Sequence, residues 1–248
     1  MNSETIIINK QTWDEEAERF FGRNPLPEYG PLAPTEEDIM LFDHIQGKKV
    51  LDIGCGSGHS LLYMHNKGAD ELWGLDLSKT QIHTAEKVLS NCPSVQLFEA
   101  PMEANPGLPE NYFDIAYSIY AIGWTTNLQQ TIMNIHSYLK PGGAFIFSWE
   151  HPLYNRVKQA GTELLFQHSY HEEGFYDHEA WKKPAIMQQI KLSTYINTLI
   201  DNGFIIEKVI EEVRMSEADV EKHQNRWYSD KKAKSIPTTL IIKCRKSN

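Results

Sequence analysis

At 248 residues the chain is long enough for one α/β domain with insertions and a large buried core. Its 24 Lys and Arg against 33 Asp and Glu leave a net charge of −9, which repels a phosphate backbone and disfavours nucleic acid as a substrate. Its 3 cysteines, Cys55, Cys92 and Cys244, are far apart and form no C-x-x-C pair, which suggests neither a disulfide framework nor a zinc site and fits a reducing cytoplasm; no apolar run is long enough to span a membrane, and Met1 to Lys10 does not read as an export signal.

Gln11 to Arg23 place Trp13, Ala17, Phe20 and Phe21 at helical spacing, with Asp14, Glu15 and Glu16 where the helix dipole favours acids. A short amphipathic helix is expected there. Asn24 to Pro31 holds Pro25, Pro27 and Pro31, each fixing φ and withholding an N–H, so this segment reads as an ordered arm. Thr35 followed by Glu36, Glu37 and Asp38 has capping character before Ile39, Leu41, Phe42 and Ile45, which predicts a helix ended by Gly47.

The next stretch organises the rest. Val50-Leu51-Asp52-Ile53 suits a buried parallel strand and runs into Gly54-Cys55-Gly56-Ser57-Gly58, after which Leu61, Leu62 and Met64 take up helical spacing. Glycines in such a turn let the backbone bend sharply and approach a ligand, while the first N–H groups of the following helix offer hydrogen bonds. The place fits a nucleotide site, beyond the carboxyl end of a strand. A dinucleotide fingerprint would need its third glycine where His59 stands, so the D-x-G-x-G-x-G spacing disfavours NAD. A second strand, Glu71 to Asp76, ends in an acid about 20 residues beyond the loop, the separation at which a carboxylate reaches ribose hydroxyls.

Ser78 is a plausible N-cap for a helix over Lys79 to Ser90, and Val95 to Phe98 reads as strand three. Strand four follows Asn111-Tyr112 and continues into Ile119-Tyr120-Ala121-Ile122-Gly123-Trp124. Leu128, Ile132, Ile135 and Leu139 mark the next helix, and Pro141-Gly142-Gly143 turns into strand five, Ala144 to Trp149, which delivers Glu150-His151-Pro152 to the same rim.

Taken with Leu139-Lys140-Pro141-Gly142-Gly143, the strand and glycine loop at Val50 to Gly58 and the acid at Asp76 resemble the class I S-adenosylmethionine-dependent methyltransferases of small-molecule type, well over about residues 36 to 150 and more loosely elsewhere. The resemblance implies a Rossmann-like, doubly wound, mostly parallel seven-stranded α/β sheet and S-adenosyl-L-methionine as cofactor. It implies that Gly54, Cys55, Gly56 and Gly58 approach the cofactor, that Asp52 fixes its ammonium, and that Asp76, with Leu77 beside it, takes its ribose. The readings left open are loop capping for Asp52 and capping of the next helix for Asp76. At the family's adenine positions stand Pro101 and Met102 in place of the usual Asp and small residue; Met102 would pack on the ring or Glu103 would substitute. Tyr120, Trp124 or Tyr29 is expected against the sulfonium, with ordinary packing the alternative, and Tyr29 would reach the cofactor from a folded-over arm. His151 is the candidate general base, having a pKa near neutrality when unperturbed.

From Leu153 to Met187 periodicity is weak but Tyr154, Phe166, Tyr170, Phe175, Tyr176 and Trp181 are interspersed with His168, His171 and His178, which reads as a cap over the acceptor. The histidines lack a defined metal spacing, so no metal is expected. Ser193 to Asp201 reads as a helix, Phe204 to Ile210 and Thr238 to Cys244 as strands, and Ser216 to Lys234 as a charged solvated loop or short helix. The expected division is an N-terminal helix and lid arm (1–34), a cofactor-binding core (35–152), a cap (153–190), and a C-terminal helix and strands completing the sheet (191–248). The function so read is methyl transfer to a small molecule by in-line displacement. The alternatives are a non-catalytic binder of the same cofactor and a nicotinamide-dependent oxidoreductase. The absence of an N/D-P-P-Y/F/W tetrapeptide after strand four argues against amino-group methylation of adenine or glutamine. Acceptor atom and oligomeric state are not legible.

Overall fold

Alternation along the strands sorts the core into two halves. Leu51 and Ile53 point to one face of the sheet and Val50 to the other, as Phe145 and Phe147 do against Ile146. A computed structural model describes residues 2–161, 163–178, 181–215 and 228–248. In chain order its strands are β1 (Lys49–Ile53), β2 (Glu71–Asp76), β3 (Val95–Glu99), β4 (Phe113–Ile119), β5 (Leu139–Glu150), β6 (Val157–Ala160), β7 (Glu163–Phe166), β8 (Gly174–Asp177), β9 (Ile186–Gln189), β10 (Phe204–Ile210) and β11 (Thr239–Lys246). The main sheet has 7 strands in the order β10-β11-β5-β4-β1-β2-β3. Pairs from β5 to β3 are parallel and β11 runs antiparallel to both its neighbours. This is the expected doubly wound α/β sheet.

The helices are α1 (Asn2–Glu16), α2 (Glu36–Ile39), α3 (His59–Asn66), α4 (Lys79–Val88), α5 (Leu128–Tyr138), α6 (Leu192–Asp201) and α7 (Asp230–Ala233). Leu61 and Met64 of α3 and Ile82 of α4 fill one half of the core, while Ile132 and Ile135 of α5 and Tyr195 and Leu199 of α6 fill the other. The region read as a cap holds two antiparallel ribbons, β6–β7 and β8–β9. No described helix is long and apolar enough to cross a membrane.

Two helices differ from expectation. α1 begins at Asn2, well before Gln11, because its inward face is partly polar: Asn9 exchanges two hydrogen bonds with the backbone of Ile186 (2.7 and 3.0 Å), and Thr12 Oγ1 donates to Pro184 O at 2.5 Å. Apolar periodicity cannot show such a face. The helix expected up to Gly47 stops at Ile39, where Met40 turns left-handed at φ 43°. The buried Glu36 carboxylate then accepts from the N–H groups of Leu41 (2.8 Å) and Phe42 (2.9 Å), so both apolar residues enter the core from a loop. Of the charged segment expected between 216 and 234, residues 216–227 lie outside the described residues. Beyond them Lys232 is buried, not solvated.

Candidate functional site

The strand order reverses direction between β4 and β1, so the helices following these strands lie on opposite faces and a crevice opens at their carboxyl ends. A cavity of about 930 Å³ occupies it. Its floor comes from strand ends: Gly54, Cys55 and Gly56 after β1, Asp76 and Leu77 after β2, Met102 and Glu103 after β3. Ile119 at the end of β4, Tyr120 and Ala121 after it, and Trp149 and Glu150 of β5 continue it. Its roof comes from elsewhere: Ile6, Asn9, Trp13 and Phe20 from the N-terminal segment, His178, Trp181 and Met187 from the β8–β9 region, and Tyr228.

On the floor the glycine loop is tied to the end of β2. Gly54 N and Cys55 N donate to Leu75 O at 2.7 and 3.0 Å, and Gly56 N donates to Asp76 Oδ2 at 2.8 Å. Gly54 sits at φ 81°, and a Cβ there would stand 2.4 Å from the Ala121 methyl, so the residue must be glycine for two reasons. Asp76 Oδ1 accepts from Ser78 N at 2.8 Å, so the carboxylate bridges the loop and the cap of α4. Burial pushes its carboxyl up to about 6, with the two amides pulling the other way. Asp52, 2% exposed, is held well above the usual carboxylate range by burial and by the charge of Asp76. Glu103 accepts from Thr125 Oγ1 at 3.0 Å and from Thr126 N.

Beyond β4, Tyr120 takes the left-handed conformation at φ 54°, with its N–H donating to Ser148 O at 3.0 Å. Its hydroxyl donates to Tyr228 Oη at 2.5 Å, and that of Tyr228 donates to Glu150 Oε2 at 3.1 Å. Trp13, Trp124 and Trp181 meet edge to face with ring centroids 5.0 to 5.1 Å apart, and Phe20 stacks on Trp181 at 4.9 Å. Trp149 passes so close to Gly123 that a Cβ there would stand 1.8 Å from its ring. The roof is fastened at the floor's edge: Asp14 Oδ1 of α1 accepts from Ser78 Oγ at 2.6 Å and from Thr80 N at 3.0 Å.

A glycine loop without side chains, an acid at the next strand end and an apolar shelf at Leu77 and Met102 suit a nucleoside, and about 930 Å³ leaves space for a second small molecule. The comparisons with known proteins agree. A profile described as "Methyltransferase domain" matches residues 51–147. A Haemophilus influenzae protein of unstated function is 33% identical over 99% of both chains. The crystal structure of an S-adenosylmethionine-dependent methyltransferase from Mesorhizobium loti superimposes with a TM-score of 0.72 at 27% identity, covering 84% of this chain and 95% of that one. The chain belongs to the class I S-adenosylmethionine-dependent methyltransferases. Phosphoethanolamine N-methyltransferase 1 of Arabidopsis thaliana is 33% identical over 53% of this chain, which spans only 26% of the plant protein.

As a methyltransferase it uses S-adenosyl-L-methionine, which supplies an electrophilic methyl group on sulfur. The expected residues Asp52, Gly54, Cys55, Gly56, Asp76, Leu77, Met102, Glu103 and Tyr120 all border the one cavity. Gly58, Tyr29 and His151 do not line it. Gly58, at φ 79°, caps α3, and its α-carbon packs toward Ala85 of α4 and Leu89 just after that helix. Tyr29 is fully buried in the core with its hydroxyl donating to Glu36 Oε2 at 2.6 Å, which corrects the expectation that it reaches the cofactor: the arm turns this ring inward to hold Glu36. His151, 3% exposed, shares a hydrogen bond of 2.7 Å between Nε2 and Glu211 Oε1, burial lowers its pKa, and it does not line the large cavity. Among the described residues no group of three His, Cys, Asp or Glu could hold a metal.

His178, Trp181 and Met187 fall in the segment expected to cap the acceptor, whereas the other roof residues escaped sequence reasoning as site residues. Trp13 and Phe20 stand at helical spacing, which marks a packed face of any kind, and Trp181 is one aromatic among many. Tyr228 lies within the charged segment from Ser216 to Lys234, read as solvated, and carries no signal of a site.

Proposed function

We propose that this enzyme transfers the methyl group to a small molecule held in the aromatic half of the cavity, by in-line displacement. What carries the reading is the continuity of that cavity, from the glycine loop through Tyr120 to a compartment walled by Trp13, Phe20, Trp124, Trp149 and Trp181 and covered by α1 and the β8–β9 ribbon. An acceptor confined by such a roof is small, and the net charge of −9 supports a reading without nucleic acid.

In this reading the N–H groups of the Gly54–Gly56 loop and the Asp52 carboxyl hold the amino-acid end of the cofactor. Asp76 accepts from its ribose hydroxyls, Leu77 and Met102 pack on its base, and Glu103 accepts from the base amino group. The Tyr120 ring stands where a sulfonium would be stabilised by an aromatic face. Alignment supplies the rate: holding the acceptor atom about 3 Å from the methyl contributes several kcal/mol without a covalent intermediate. Residues 1–34 and 153–190 serve as lid and cap, 35–152 and 191–248 as the core and its completion. Three free thiols suit a reducing cytoplasm.

The test is methyl transfer from radiolabelled S-adenosylmethionine to a panel of small amines, phenols and carboxylic acids, run beside total RNA and denatured and folded proteins. Label in the small-molecule fraction is expected. Efficient label in RNA or folded protein overturns the small-molecule reading.

A further inference from the structure

We propose that Glu150 is the anchor for the acceptor and selects one whose nitrogen becomes cationic as it is methylated, that is, an amine rather than a hydroxyl or carboxylate acceptor. The inference deepens the proposed function and rests on it.

Glu150 is the last residue of β5, is 5% exposed, and borders the cavity beside the aromatic compartment. A carboxylate in such a place is costly unless hydrogen bonds and positive charge compensate it. Part of that compensation is internal: Tyr228 donates to Oε2 at 3.1 Å, and Tyr120 orients Tyr228 from the floor at 2.5 Å. The Lys232 ammonium, centred 3.6 Å over the Tyr154 ring, is within electrostatic reach of Glu150 as well. These neighbours fix the orientation of the carboxylate at the cavity wall.

The surroundings favour positive charge. Five aromatic rings, Trp13, Phe20, Trp124, Trp149 and Trp181, border the compartment, and aromatic faces attract cations. The protein already uses the device, since the guanidinium groups of Arg19 and Arg23 lie 5.4 and 5.2 Å from the Phe20 centroid. Among the formally charged lining residues, Glu28, Asp52, Asp76, Glu103 and Glu150 outnumber Arg19 and Arg23, and no described lysine lines the space. Without Asp52 in the count the balance is still acidic. A neutral amine gains positive charge at nitrogen as the new N–C bond forms and the S–C bond breaks, the electron pair returning to sulfur, which leaves as a neutral thioether. A fixed carboxylate beside the nitrogen therefore stabilises the transition state more than the ground state. A carboxylate acceptor would meet repulsion at the same place.

The probes are phenyltrimethylammonium, which carries the charge of a methylated product, and tert-butylbenzene, its neutral isostere. Each is titrated into the intact protein saturated with S-adenosylhomocysteine, following tryptophan fluorescence. The cation is expected to bind at least about tenfold more tightly than the isostere. Glu150→Gln should remove most of that preference and leave affinity for the isostere and for S-adenosylhomocysteine within about twofold; Tyr228→Phe, a milder change, should reduce the preference part-way. Equal affinity of the two probes for the wild-type protein, or a preference unchanged in folded Glu150→Gln and Tyr228→Phe, overturns the assignment alone. Failure to bind S-adenosylhomocysteine at all overturns the underlying reading, and this one with it.

Discussion

Floor and roof of the cavity are assembled over different distances along the chain. On the floor, Gly56 and Asp76 are joined by one hydrogen bond across 20 positions, and each sits at the end of a strand whose neighbour is the next strand in sequence. On the roof, Asn9 meets Ile186 across 177 positions and Tyr120 meets Tyr228 across 108. Floor residues meet local demands: a left-handed turn at Gly54, an acid where β2 ends. Roof residues are ordinary aromatics whose role exists only once distant segments have closed over them. A floor so constrained suits the invariant part of a reaction, and a roof so loosely specified can change with the acceptor. Altering each in turn separates the two.

The largest effect is expected at the floor. Gly54→Ala forces a side chain to φ 81° and sets its Cβ 2.4 Å from that of Ala121. Left-handed strain of about 1–2 kcal/mol and overpacking of about 1–3 kcal/mol add to a loss of roughly 2–5 kcal/mol in stability. Because the loop itself must move, affinity for S-adenosylhomocysteine should fall by more than about 100-fold, or about 2.7 kcal/mol. Urea midpoints and calorimetric titration measure both. Near-wild-type affinity in this variant would mean that the loop does not hold the cofactor.

Asp76→Asn comes next. One hydrogen bond to a charged group is worth about 1.5–3 kcal/mol, so affinity should weaken by roughly 10- to 150-fold. The bonds to Gly56 N and Ser78 N show that the carboxylate also braces the loop and the start of α4, so a stability loss of about 1 kcal/mol should accompany it. The pH dependence has two opposite signs. Burial raises the Asp76 carboxyl from 3.8 to about 6, so between those values the folded chain keeps a proton the unfolded chain has lost; this contribution to stability is present at low pH and is lost as pH rises through 6. Cofactor hydroxyls need the ionised form of Asp76, so affinity should rise over the same interval. Affinity independent of pH from 5 to 8 would place the ribose elsewhere.

The sheet and most of the floor were legible because strand, tight turn and acid are each dictated by short-range physics. Asp76 and Gly54 stand at the strand ends where spacing put them, and Met102, expected from the family resemblance alone, lines the same cavity. The early start of α1 was hidden because Asn9 and Thr12 bury polar groups against the backbone of the β9 region, inverting the usual pattern. Tyr29 misled for the opposite reason: an aromatic in a proline-rich arm fits a lid, but the buried Glu36 carboxylate demands its hydroxyl. His151 stands at the right rim, but sequence cannot tell which side of the strand end its ring takes.

On the roof, Trp181→Ala removes the ring that touches Trp13, Phe20 and Trp124. Since that side chain is partly exposed and its neighbours come from a segment outside the sheet, stability should fall by only about 1–2 kcal/mol. Affinity for S-adenosylhomocysteine should stay within about threefold, while phenyltrimethylammonium binding weakens by about tenfold. A comparable loss for both ligands would show that floor and roof act as one unit, and the division drawn above would fail.

The smallest effect concerns the segment that carries Tyr228 to the roof. Two residues after it begins, α7 buries Lys232, 4% exposed, over the Tyr154 ring. Burial lowers its ammonium from 10.5 to about 8, with the charge of Glu150 opposing the shift. Between those values the unfolded chain holds a proton that the folded chain has released, so this group makes stability rise with pH across the window; below about 8 both states are protonated and the cost of burying the charge is fully present. Lys232→Met keeps the apolar stem and removes that cost, together with a cation–π contact worth up to about 2 kcal/mol. The net gain at pH 7 should be about 1 kcal/mol, shrinking to nothing or reversing as pH approaches 10.5. Other groups also titrate there, so the informative quantity is the difference between wild type and variant at each pH, measured by urea unfolding. A difference that does not change from pH 7 to 10 would mean that Lys232 keeps its proton throughout and that the Tyr154 ring and Glu150 together compensate its burial, making the C-terminal return of the chain a firmer part of the roof than its composition suggests.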